Sequence, residues 1–183
     1  MTVIGIVGLP GSGKSEAAAV ARELGIPVVT MGDVVRKETA DRGLDPASDH
    51  GDVAQQLREE EGPAAIADRS LPILRSALAD HDAVVVDGIR SGHEVARFEE
   101  AFGEDFLLVE ITAPRDIRVE RLADRGRDRT AAEGGEALED REERELGFGM
   151  DAAMDRADVT IENAGSLESY RERVRDLFRE IRT

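Results

Sequence analysis

The chain of 183 residues predicts an α/β fold: a five-stranded parallel sheet with helices on both faces. Three observations carry that expectation. Five short runs rich in β-branched residues recur along the sequence, with helical segments between them. The runs are close to continuously apolar, as strands covered on both faces require. A glycine-rich turn at residues 8–15 separates the first run from the first helix, and open parallel sheets gather ligands beyond the carboxyl ends of their strands.

In order, the first strand is Thr2-Val3-Ile4-Gly5-Ile6-Val7, and the alanine-rich stretch to Leu24 is the first helix. Ile26-Pro27-Val28-Val29-Thr30 is the second strand. Residues 32–80 hold about three helical pieces before the third strand, Ala83-Val84-Val85-Val86-Asp87, more than a simple crossover needs. They read as a helical insert. Phe106-Leu107-Leu108-Val109-Glu110-Ile111 is the fourth strand and Asp158-Val159-Thr160-Ile161 the fifth. Between those two, residues 126–147 are polar, glycine-containing and rich in arginine, the composition of a mobile insert. Leu167, Tyr170, Val174, Leu177, Phe178 and Ile181 form one stripe of a last helix with Ser166 as N-cap, a helix assigned to packing. The length suits one domain, residues 1–183.

Composition narrows the function classes. Net charge is −16, from 40 acidic and 24 basic residues, so the overall field opposes binding to nucleic acid or to an anionic membrane surface. No run approaches the roughly eighteen apolar residues of a membrane span. Cysteine is absent and the N-terminus lacks a secretory pattern, so a cytoplasmic location is expected. Lys14 and Lys37 are the only lysines; the other basic residues are arginine. This acidic, lysine-poor profile is expected of a salt-loaded cytoplasm. His50, His81 and His93 are scattered without metal-ligand spacing and read as surface or cap residues.

Gly8-Leu9-Pro10-Gly11-Ser12-Gly13-Lys14-Ser15 is G-x-x-x-x-G-K-S in its strand-to-helix context. With so few lysines, a chance match is roughly two in a thousand, so a merely flexible turn is the weaker reading. Gly8, Pro10, Gly11 and Gly13 shape a loop whose amides converge on phosphate at a helix N-terminus. Lys14 then reaches the outer phosphates of a nucleoside triphosphate and the Ser15 hydroxyl ligates Mg²⁺. Ser12 is either a small filler or a further phosphate contact.

Asp87, at the end of a buried strand, is the second candidate Mg²⁺ residue; the competing reading is a turn cap before Gly88. Asp33 and Arg36 follow the second strand, Arg90 the third. Each has an ordinary alternative, helix cap or solvated surface, but together they flank one cleft. Arg36 and Arg90 would there clamp an acceptor phosphate with planar guanidinium forks. Arg121, Arg125, Arg127, Arg129, Arg141 and Arg144 are interleaved with acids, so most are expected in surface ion pairs and two or three over the donor phosphates.

Six segments resemble the nucleoside monophosphate kinase branch of P-loop kinases, and more closely an archaeal family related to dephospho-CoA kinases. They are GLPGSGKSE at 8–16, IPVVTMGDVVR at 26–36, VVVDGIRS at 84–91, ERLADRGR at 120–127, REERELGFGM at 141–150 and ADVTIENAGSLES at 157–169. The resemblance spans nearly the whole chain. It implies a three-layer P-loop kinase fold, with insert 32–80 binding the acceptor and 126–147 as lid. MGDVVR resembles the adenylate kinase segment that holds the acceptor monophosphate, implying that role for Arg36. DGIRS is similar to their Asp-Gly-Phe-Pro-Arg segment, with Ile89 in the aromatic position and no proline, which implies acceptor contact by Arg90. ERLADRGR implies donor-phosphate contacts by Arg125 and Arg121, with Arg125 and Arg127 closing the lid. The 157–169 segment resembles the last strand and turn of dephospho-CoA kinases, implying Asn163 and Gly165 near the donor adenine. Asp33 corresponds to the Asp near their acceptor hydroxyl.

The expected activity is therefore Mg²⁺- and ATP-dependent phosphoryl transfer to a small nucleotide-like acceptor, foremost a nucleoside monophosphate. Phosphorylation of a ribose hydroxyl, as on dephospho-CoA, is the second enzyme reading. An anionic phosphate nucleophile needs no base, so Asp33 would order Mg²⁺-bound water; a hydroxyl must lose a proton, making Asp33 the general base. A nucleotide-gated regulatory protein with slow hydrolysis is the alternative outside the kinases.

Overall fold

Five strands, β1 (Thr2–Val7), β2 (Val28–Thr30), β3 (Ala83–Asp87), β4 (Phe106–Thr112) and β5 (Val159–Glu162), form one parallel sheet. Their order is β2-β3-β1-β4-β5. The computed structural model describes residues 1–127 and 138–182, excluding the side chains of 125–127 and 138–139. The three-layer architecture expected of the chain is what it has. Among the described residues, no helix is long and apolar enough to cross a membrane.

The central strand shows why. Val3 and Val7 join one hydrophobic core and Ile4 and Ile6 the other, because successive side chains leave a strand on opposite faces. Helix α1 (Lys14–Glu23) packs with α9 (Leu167–Ile181) over the Ile4–Ile6 face. Over the Val3–Val7 face lie α2 (Met31–Asp41), α3 (His50–Glu61), α4 (Ala65–Asp80), α5 (Gly92–Phe102) and α8 (Met150–Met154). A short 3-10 turn, Gly103–Asp105, leads into β4. Helices α6 (Arg115–Arg127) and α7 (Leu138–Gly147) flank residues 128–137, on which much of the expected lid falls and which lie outside the described residues.

Local differences from the sequence reading have simple causes. Strand β2 starts at Val28, since Pro27 has no amide for the ladder and contributes only its carbonyl, to Val85 N at 2.9 Å. Strand β5 starts one residue late because the Asp158 carboxylate accepts from Leu108 N at 2.8 Å. The N-cap of α2 is Thr30, so Asp33 lies in the first turn and is not the cap. Ser166 does cap α9, accepting from Ser169 N at 3.2 Å. Tyr170, Val174 and Phe178 of its stripe are buried, whereas Leu167 is exposed.

The register sets up the site. Both Ile6 and Thr30 pair with Asp87, so the ends of β1, β2 and β3 come level at one edge. The phosphate-loop candidate, Gly32 and Asp87 meet there.

Candidate functional site

The turn after β1 is locked from behind by side chains. Asn163 Nδ2 donates to Ser12 O at 2.8 Å and the Tyr170 hydroxyl to Gly13 O at 2.9 Å. Arg121 donates to Gly11 O at 3.2 Å and to Asn163 O and Oδ1, each at 3.1 Å. Arg118 reaches Pro10 O at 3.4 Å. In a planar trans peptide, C=O and N–H point in opposite directions, so tying the carbonyls back turns the amides toward the cleft. Gly13 is obligatory twice over: its φ is 114°, and a Cβ there would lie 2.4 Å from Asn163 Nδ2. It caps α1, whose first turn is an anion site through its amides and dipole.

Lys14, Ser15 and Asp87 line a cavity of about 320 Å³ together with Arg36, Arg90 and Glu145. Lys14 folds onto the loop, donating to Gly8 O and, at 3.2 Å, to Leu9 O. Burial lowers the Lys14 pKa, against the opposing fields of Glu145 and Asp87. Burial raises that of Asp87, opposed chiefly by Lys14. A partly buried carboxylate and a hydroxyl on a phosphate-sized cavity suit Mg²⁺, which keeps waters and takes one or two carboxylates plus substrate phosphates. Among the described residues no cluster of three or more His, Cys, Asp or Glu is arranged to hold a metal.

A second cavity of about 280 Å³ opens beside the first and shares Gly32, Gly88 and Arg90 with it. Phe148 forms part of its wall, with the guanidinium groups of Arg58 and Arg90 at 5.4 and 5.9 Å from the ring centre. Glu94 is buried there: Oε2 accepts from Arg90 N at 2.7 Å, while Oε1 has no hydrogen bond among the described residues and lies 3.6 Å from Arg58. Burial raises its pKa. Arg90 Nη1 also pairs with Glu145 at 3.1 Å. His50, read as a surface or cap residue, opens α3 at the edge of this cavity.

Of the residues singled out in the sequence, Pro10, Gly11, Gly13, Lys14, Ser15, Arg36, Asp87, Arg90 and Arg141 border the first cavity, and Arg144 borders the second. Ser12 is buried, and its hydroxyl has no hydrogen-bond partner among the described residues. Asp33 borders an outer groove instead; its side chain is 68% exposed and accepts from Arg36 Nε at 3.1 Å. Asn163 is buried beneath the loop, and Gly165 is exposed with open space about it. The side chains of Arg125 and Arg127 lie outside the described residues, as does Arg129. Sequence reasoning missed Arg58, Glu94, Arg118, Glu145 and Phe148. For Glu94 a signal existed, its spacing of four from Arg90; for the others none separates them from neighbouring charges.

Residues 7–139 match the AAA domain family. A UPF0200 protein of Halobacterium salinarum is 59% identical over 178 residues, covering 97% of this chain and 93% of that protein. Among solved structures, a dephospho-CoA kinase from Campylobacter jejuni is similar at a TM-score of 0.62 and 15% identity, over 98% of this chain and 96% of that one. A shikimate kinase from Acinetobacter baumannii, in complex with shikimate, has a TM-score of 0.57 and 19% identity over 99% and 93%. At such identities the likeness is one of fold, a P-loop kinase-like fold.

Proposed function

The chain belongs to the AAA domain family and to the UPF0200 proteins, and from that premise we propose an ATP-dependent small-molecule kinase. It transfers the γ-phosphoryl group to a nucleotide-like acceptor, foremost a nucleoside monophosphate. One observation carries the reading: a cavity at the glycine-rich loop and a second, arginine-walled cavity join at Arg90. A donor and an acceptor phosphate would meet at that junction. The dephospho-CoA kinase and the shikimate kinase that share the fold agree with this activity class.

In this reading the loop amides, Lys14 and Ser15 hold the donor, with Arg125 and Arg127 as further donor-phosphate contacts. Ser15 and Asp87 hold Mg²⁺, which supplies charge neutralisation on the phosphates when bound. Arg36 and Arg90 grip the acceptor phosphate. Asp33, exposed and bonded to Arg36, serves to orient that arginine. An anionic nucleophile needs no base, so catalysis is positioning and electrostatic stabilisation.

The test is a coupled assay over nucleoside monophosphates, dephospho-CoA and shikimate. Transfer to a monophosphate is expected. Arg90→Ala should raise the acceptor KM about thirtyfold, the loss of a charge-assisted bond worth ~2 kcal/mol, with the ATP KM nearly unchanged. Asp33→Asn should cost only a few-fold. Transfer confined to a hydroxyl acceptor, with activity abolished in Asp33→Asn, would overturn the phosphate-acceptor reading. Hydrolysis indifferent to every acceptor would favour a nucleotide-gated regulator.

A further inference from the structure

Helix α7 turns two acids inward, one turn apart. Glu142 and Glu145 are about 16% and 15% exposed, whereas Glu143 between them faces solvent. Glu142 pairs with the buried Arg118, whose guanidinium also reaches the carbonyl of Pro10 in the loop. Glu145 pairs with Arg90, the arginine common to both cavities, and borders the same space as Lys14, Ser15 and Asp87. A side-chain carboxylate thus occupies a position at Arg90 that an anionic oxygen of a substrate would take. Glu145 is also the strongest charge acting on Lys14.

We propose that Glu145 is a charge filter at the acceptor site, a resident anion that an incoming acceptor must displace from Arg90. The proposal rests on the kinase reading above and narrows its substrate class to acceptors bearing a dianionic phosphate. The reason is the balance of exchange. A neutral acceptor leaves the Glu145–Arg90 pair intact and gains nothing from Arg90. A carboxylate acceptor trades one monoanion for another, so its gain is cancelled by the pair it breaks. A phosphate brings a larger charge and three acceptor oxygens to a planar fork, and the exchange runs in its favour. Discrimination by a competing internal group is a penalty placed on the wrong ligands, not an added contact to the right one.

The experiment compares wild type, Glu145→Gln, Glu145→Ala and the solvent-facing control Glu143→Gln by calorimetry at a pH where phosphate is dianionic. The probes are adenosine monophosphate, adenosine 5′-carboxylate and adenosine, titrated without ATP. In wild type, the monophosphate should bind most tightly, with the carboxylate ahead of adenosine only by what Arg36 contributes, since Glu145 offsets Arg90 alone. Glu145→Gln and Glu145→Ala should tighten monophosphate and carboxylate alike, on the order of tenfold, and leave adenosine unchanged. Glu143→Gln, with the same change in net charge, should match wild type. Weaker or unchanged monophosphate binding in the Glu145 variants overturns the filter, as does a failure of the monophosphate to bind any of the four proteins. Because no donor is present, these titrations read Glu145 independently of turnover. Failure of the kinase reading appears separately, as absence of transfer in the coupled assay.

Discussion

Burial holds the Glu94 carboxyl above the ordinary carboxylate range, although Arg58 and the Arg90 amide both favour its charged form. Desolvation therefore wins at this residue. With the folded pKa raised, the native state binds more protons than the unfolded chain between the unfolded value of 4.5 and the folded one. Its contribution to stability is full below that unfolded value and is lost as pH rises through the folded one. Glu94→Gln keeps an acceptor for Arg90 N and removes the buried charge. It should stabilise the protein by about 1 kcal/mol at neutral pH and remove this part of the pH dependence. Denaturant titrations at pH 5 and pH 8 check it; a destabilised variant would show that the pairing with Arg58 outweighs desolvation. In the sequence, Ser91-x-x-Glu94 has the spacing of a capping box. Only half of it forms: Ser91 Oγ accepts from Glu94 N at 3.3 Å, while the carboxylate turns to Arg90 N.

Helix α9 shows how an element reads one way in sequence and acts in two. Its apolar stripe announces packing, and the structure supplies the partner, α1. The same stripe carries Tyr170, whose hydroxyl reaches across to Gly13 O at 2.9 Å. Burial raises the Tyr170 pKa, so the hydroxyl remains a donor through the physiological range. Tyr170→Phe should cost about 1 kcal/mol of stability and raise the ATP KM a few-fold, leaving the acceptor KM alone. Gly13→Ala should cost about 2 kcal/mol and abolish nucleotide binding, because it adds left-handed strain to a clash with Asn163. Thermal unfolding with nucleotide titration measures both. If Tyr170→Phe altered acceptor and donor constants equally, the hydroxyl would be serving the general fold and not the loop.

For the molecule as a whole, sixteen excess negative charges set the response to salt. Two effects oppose each other. Salt weakens surface ion pairs such as Arg171 with Glu16 and Glu23, or Arg69 with Glu38 and Glu61. It also screens the repulsion among the unpaired acids. Exposed pairs are individually worth little, so relief of repulsion should dominate. The melting temperature should rise by at least about 5 °C between low salt and molar KCl. A flat or falling curve would contradict the salt-adapted reading of the composition, which the resemblance to a Halobacterium salinarum protein otherwise supports.

The parallel sheet, the phosphate-loop candidate, Asp87 at a strand end and the grouping of Arg36 and Arg90 beyond two strand ends were readable along the chain, because strand periodicity and an eight-residue turn are local properties. Asp33 was placed at the right edge, yet its side chain turned outward to Arg36, a choice its neighbours in sequence do not fix. Arg58, Arg118, Arg121, Glu94 and Glu145 acquired their places through packing. Arg118 meets Glu142 across 24 positions, Arg90 meets Glu145 across 55, and Arg121 meets Gly11 across 110. In a chain whose basic residues are almost all arginine, composition and spacing make one guanidinium like the next. Which of them face the cleft depends on how α6 and α7 lie against the loop, and that is set by contacts between elements far apart in sequence.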